Sequence, residues 1–247
     1  MSSVPVIDVH THMLSEAWLN DIRAHGAPKY GVKPTAAGQD SVWMSGAPFV
    51  TLFPEMFDYD LRVANMDKAG VDIAIVSLTC PSAYWGGEAV STRVSREMNA
   101  HMAYQQGRFP DRIRFFATLP WQYPERAVEV LAEAVVQGAV GVFVSANIDG
   151  KSLTAPQFAP IWQAIDDLAL PVLVHPTAPQ GSAEMELHEY GLVPPIGFMF
   201  DTTLAVSRMI LDGFIDRYPH LAIIAGHGGA TLPYLAGRLD RCHEMIP

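Results

Sequence analysis

Cysteine is scarce in this chain. Its 247 residues hold two, Cys80 and Cys242, far apart and neither in a Cys-x-x-Cys pair. That excludes a disulfide framework and points to reduced thiols, so the expected compartment is the cytoplasm. Charge is sparse too, at 17% of residues, and acidic side chains outnumber basic ones 26 to 16. A net charge of −10 without a basic stripe argues against a nucleic-acid partner. No apolar run approaches the roughly 20 residues a membrane helix needs, so no membrane partner is expected. Residues 1–8 lack the basic start and long apolar run of a signal peptide. No Gly-x-Gly-x-x-Gly follows the first strand, which weighs against dinucleotide binding.

What is present is apolar residues, 49% of the chain, enough to bury a sizeable core. They fall into short strand-like runs at 5–12, 72–79, 113–119, 140–146, 171–176 and 221–227. Helical stretches follow at 60–69, 88–106, 124–137, 156–168, 201–218 and 232–245. Gly70, Gly107 and Gly138 stand where helix C-caps belong. Strands alternating with helices imply a parallel sheet of βα units. Runs such as Ile73-Ala74-Ile75-Val76 are apolar throughout, as expected when both faces of a sheet are buried. The eight-stranded barrel and the open doubly wound sheet both fit this pattern. The segment 26–58 lacks regular periodicity and reads as an insertion over the site.

The chemistry gathers on histidines. Strand residues alternate faces, so Val6, Asp8, His10 and His12 share one face of the first strand. His175 closes the fifth strand and His227 the sixth. One histidine at a strand end is ordinarily a hydrogen-bonded core residue. Four at the C-terminal ends of three parallel strands converge on one pocket, where barrel enzymes hold their active sites. Neutral imidazoles two apart on a strand suit a divalent metal. Trp85, after the second strand, is placed to line a pocket or to pack. His188 stands in the loop expected to cover the site, and His101 reads as structural.

The segments IDVHTH, RVANMDKAGVDIAIVS, NAHMAYQQGRFPDRIRFFATLP, LPVLVHP and FIDRYPHLAIIAGHGGATLPYLAGRLD run through nearly the whole chain. Together they resemble the decarboxylase-like branch of the amidohydrolase superfamily. That resemblance implies a TIM-type (β/α)8 barrel forming one domain over 1–247. It implies His10, His12 and His175 as ligands of one zinc ion, and His227 as the acid/base. Arg238 would bind a substrate carboxylate across a homodimer interface, with Trp85 a further substrate contact. The implied partner is a small-molecule carboxylate, and the implied reaction is loss of CO2 from an unsaturated or aromatic acid.

A metal-dependent hydrolase or hydratase of a carboxylate or lactone uses the same site. A third class is an inactive fragment or binding domain that keeps the histidines. The family's second substrate arginine aligns with Val50, and its further metal-ligand aspartate follows an eighth strand. Only six βα units are countable here, so the expectation is a barrel truncated after the sixth unit, with two units and that aspartate to follow.

Overall fold

The computed structural model describes residues 4–245. Six parallel strands form the main sheet: β1 (Ile7–His12), β5 (Ile73–Ser77), β6 (Ile113–Ala117), β7 (Gly141–Ser145), β10 (Pro171–His175) and β11 (Ala222–Ala225), hydrogen-bonded in that order. Each falls inside a run expected from the sequence. Helices α1 (Glu16–His25), α2 (Tyr59–Ala69), α3 (Gly87–Arg108), α4 (Pro124–Val136), α5 (Ala159–Asp167), α6 (Phe198–Leu211) and α7 (Phe214–Arg217) precede a C-terminal helix, Leu232–Met245.

The sheet is curled. Six flat strands about 4.8 Å apart would set the outer two roughly 24 Å from each other. Yet the ring of His10 on β1 and that of His227 just past β11 lie 4.8 Å apart. The C-terminal strand ends therefore draw together as in a TIM-type barrel, although β1 and β11 are not hydrogen-bonded to each other. Inside the curl, Phe116, Phe143 and Leu173 pack together. Outside it, the opposite strand faces bury Val76, Phe115, Val142 and Val174 against the helices, with Trp121 and Trp162 filling the layer between. Buried apolar area of this kind is the dominant favourable term in folding.

Local signals account for the helix ends. Ser15 caps α1 by accepting Trp18 N–H, and Asp58 caps α2 by accepting Leu61 N–H at 3.0 Å. Gly70 ends α2 with φ +70°, and Gly138 follows α4 with φ +98°. Gly107 is different from expectation: it lies inside α3, which runs on to Arg108. The stop is Pro110, because the residue before a proline, here Phe109, is pushed out of the α region. The single helix expected at 201–218 is two, broken at Gly213 with φ +63°.

The segment 26–58, which shows no regular periodicity in sequence, does carry regular structure. Within it lies an antiparallel three-stranded sheet: β2 (Tyr30–Pro34), β3 (Asp40–Met44) and β4 (Ala47–Thr51). Its register pairs Val32 with Val42 and Val42 with Val50. The turns hid the strands, since Gly38 and Gly46 interrupt short runs that carry polar residues on the exposed face. This small sheet packs over α1 in a second core around Trp18, Met44 and Phe49. A two-stranded ribbon, β8 (Asn147–Ile148) and β9 (Lys151–Ser152), follows β7.

Gly141 is required by close approach. A Cβ there would stand 2.5 Å from the Pro171 carbonyl oxygen and 2.6 Å from the Phe116 ring. Gly141→Ala should therefore cost about 1–3 kcal/mol, the usual range for an overpacked core. For a chain of this size that lowers Tm by roughly 2–4 °C per kcal/mol. An unchanged melting curve would contradict the close packing of β6, β7 and β10.

Candidate metal centre

β1 carries His10 and His12 to the C-terminal mouth of the curl, and β10 carries His175 there. Their ligand nitrogens all lie within 4.8 Å of one another. His12 Nε2 and His175 Nε2 are 3.1 Å apart. The surroundings allow both nitrogens to be bare. His175 Nδ1 is 2.7 Å from the Pro176 carbonyl oxygen, which only accepts, so Nδ1 holds the hydrogen. His12 Nδ1 is 3.2 Å from Ser77 Oγ, whose own hydrogen can go to Thr11 O at 3.4 Å. Two lone pairs facing each other at that distance suit a shared cation. Fixing the second ring nitrogen in this way is how proteins orient imidazole ligands.

Electrostatics agree. Burial drives the His175 imidazole well below its ordinary range, and the neighbouring His12, His10 and His227 push the same way. Burial, then His10, lowers His12 to about 3. His10 is lowered by burial and His227, against an opposing pull from Asp8. All three are neutral at pH 7, the state that ligates a metal. The residues present thus fit one divalent ion.

His227 sits next to this set without belonging to it. β11 ends at Ala225, and a turn over Gly226–Gly229 follows, in which His227 has φ +54° and Gly228 φ +65°. That turn leaves the His227 ring exposed at its edge and close to His10 and His175, at 4.8 and 5.6 Å between ring centroids. Burial lowers its pKa as well.

The other residues singled out from the sequence lie elsewhere. Trp85 is buried in the second core, its indole N–H donating to Ser82 O at 3.0 Å. Arg238 is exposed on the C-terminal helix. Asp8 turns back on its own strand and accepts His10 N–H at 3.0 Å. His101 stacks edge-on to Tyr59 on α3, away from the cluster. His188 does line a cavity, of about 330 Å³, between the loops after β5, β7 and β10 and the small antiparallel sheet. Tyr84, Asn147 and Thr177 line it too. None of His10, His12, His175 and His227 lines it. The chain links the two: Thr177 follows His175 by two residues, and Tyr84 Oη accepts the N–H of Ser145, the strand partner of His175, at 3.4 Å. Ser77 and Asn147 escaped the sequence reading. A serine ending the strand beside His12 was the available signal for Ser77, whereas nothing local marks Asn147.

The amidohydrolase family model matches residues 7–246, and the chain belongs to that family. Its relatives there narrow the comparison. It is 28% identical to the 2-amino-3-carboxymuconate-6-semialdehyde decarboxylase of Dictyostelium discoideum over 98% of this chain and 67% of that one. It is 33% identical to a gamma-resorcylate decarboxylase of a Rhizobium species over 76% of this chain, spanning 60% of the relative's length. Among solved structures, the apo IDCase of Metarhizium anisopliae superposes with a TM-score of 0.86 at 26% identity, covering 98% of this chain and 70% of that one. The 5-carboxyvanillate decarboxylase of Novosphingobium aromaticivorans, solved with manganese and 4-hydroxy-3-methoxy-5-nitrobenzoic acid, does so with a TM-score of 0.84 at 25% identity. It covers 98% of this chain and 70% of that one.

Two outcomes are expected. Replacing His10, His12 or His175 by alanine should abolish stoichiometric divalent metal in elemental analysis, and Ser77→Ala should weaken affinity about 10–100-fold. Metal content equal to wild type in the alanine variants would remove the site. Acid should also destabilise the metal-free protein. Between the unfolded value of 6.5 and the folded value of about 3, His12 binds a proton only in the unfolded chain. Stability is then fully present above pH 6.5 and falls as pH drops toward 3. Denaturant melts at pH 7.5, 6 and 5 read this directly, and overlapping curves would contradict it.

Proposed function

We propose that this chain carries the active site of a metal-dependent decarboxylase that removes CO2 from a small aromatic or unsaturated carboxylate. The observation that carries the reading is His227: an imidazole beside three ligand histidines, outside the ligand set, and open to solvent. The named activities of the relatives support it. The metal is zinc in this reading, and when bound it polarises the substrate as a Lewis acid and lowers the pKa of bound water.

The chain's own residues do the rest. His10, His12 and His175 hold the ion. His227, neutral at pH 7, takes up a proton and delivers it to the carbon bearing the carboxylate. The C–C bond to the carboxylate then breaks, its electrons return to the ring or chain, and CO2 leaves. The 330 Å³ cavity is large enough for a single-ring acid, and its polar lining orients the substrate. Trp85, next in sequence to the cavity-lining Tyr84 and buried in the second core, supports the cavity wall in this reading. Arg238, exposed on the C-terminal helix, is free to bind the carboxylate at the site of a second copy. Its planar guanidinium fork suits that role. The working form is then a homodimer, and with reduced thiols the compartment is the cytoplasm. No described helix is long and apolar enough to cross a membrane.

His227→Ala should keep its metal and lose about 10²–10⁴ in rate, the usual worth of a general acid/base. The assay follows CO2 release from γ-resorcylate, 5-carboxyvanillate and 2-amino-3-carboxymuconate semialdehyde. Water uptake without CO2 would favour the hydrolase reading, and wild-type turnover by the variant would remove His227 from the mechanism.

A further inference from the structure

Asp201 is a buried carboxylate outside the histidine cluster. It stands in the first turn of α6, 4% exposed, and reaches two separate strand-end loops. Its Oδ2 accepts Thr177 N–H at 2.9 Å. Its Oδ1 accepts the Asn147 side-chain amide at 2.8 Å. Asn147 extends the knot: Nδ2 also donates to Ala178 O at 3.2 Å, and Oδ1 accepts Gly150 N–H at 2.9 Å. These four contacts tie the loop after β10 to the β8–β9 ribbon after β7. Thr177, Ala178, Asn147 and Gly150 all line the 330 Å³ cavity.

Burying a carboxylate is costly unless it is hydrogen-bonded. Burial pushes the Asp201 carboxyl up to about 6, while Thr177 and Asn147 pull it down. Both partners are donors, so an ionised carboxylate satisfies both at once. An asparagine would turn an N–H2 group against one of them. Each oxygen of Asp201 therefore has a defined partner, and each partner belongs to a different wall of the cavity.

We propose that Asp201 is the positioning residue of the substrate cavity, setting the loop that follows His175 against the ribbon that follows Ser145. The proposal rests on the reading that this cavity receives the substrate. His175 is fixed in place by β10, which is paired on both sides in the sheet. Its Nδ1–H donates to Pro176 O, the carbonyl of the same peptide whose N–H Asp201 accepts. Because the strand pairing does not involve Asp201, its loss should reach substrate binding before it reaches the metal.

The test uses metal-loaded full chain in three forms: wild type, Asp201→Asn, and Asp201→Asn combined with Asn147→Asp. In the double variant an amide at 201 donates to a carboxylate at 147 and still accepts Thr177 N–H, whereas the bond from residue 147 to Ala178 O is lost, so the rescue is partial. Asp201→Asn should speed hydrogen exchange at least tenfold in peptides covering 146–151 and 176–184, leaving 7–12 unchanged. KM for γ-resorcylate should rise tenfold or more, with kcat within threefold and the stoichiometry of bound divalent metal unchanged. The double variant should recover part of the loss, with exchange and KM at least threefold closer to wild type than in the single variant. Unchanged exchange, a fall in kcat that tracks metal loss, or a double variant no better than the single one would each overturn the proposal. If wild type does not turn over γ-resorcylate, the decarboxylase reading on that acid fails, and the exchange pattern alone still decides the role of Asp201.

Discussion

Curvature of the parallel sheet is the constraint on which the rest depends. His10 and His12 come from the first strand of a six-stranded order, His175 from the fifth and His227 from the turn after the sixth, and only the curl joins them. The curl is itself a packing result. Phe116, Phe143 and Leu173 fill its interior, and Gly141 lets the strands around it approach. Helices pack on the outer face, and polar side chains from β1 and β10 meet at the C-terminal mouth.

Burial gives that mouth its chemistry. Imidazoles taken out of water lose their proton, and clustered imidazoles reinforce the effect on one another. His12 and His175 are thereby left neutral, with hydrogens on the nitrogens that face Ser77 and Pro176 and lone pairs turned inward. His227, in a turn with left-handed backbone, keeps access to solvent. Four residues of one type thus hold two different positions in the site, and environment separates them.

A layer of fixed polar contacts surrounds this centre. Asn99 on α3 clamps the backbone at the end of β6, donating to Thr118 O at 3.0 Å and accepting Thr118 N–H at 2.8 Å. Asp201 and Asn147 do the same for the loops after β10 and β7. Strand-end loops line the cavity, and polar side chains from α3, α6 and the β8–β9 ribbon hold their backbones. The stability of the barrel and the shape of its cavity are linked through these few side chains.

Much was legible in the chain itself. Strands such as 73–77 and 171–175 announced themselves as apolar runs long enough to be buried on both faces, and strand alternation put His10 and His12 on one face. Residues adjacent in sequence share local geometry, so spacing alone reports it. The small antiparallel sheet at 30–51 was not legible, because glycine turns cut its strands short and its alternation is mixed with polar residues. Nor were the partners made by folding: Ser77 on His12, Tyr84 beside Ser145, and Asp201 bridging Thr177 and Asn147 across separations of 24 and 54 residues. Periodicity carries no record of which side chain a distant loop will meet. The sequence by itself determined the βα rhythm and the histidines at the strand ends that could hold a metal. Tertiary structure decided that their rings converge, which nitrogens stay bare and what holds the cavity walls, because those depend on sheet curl and burial.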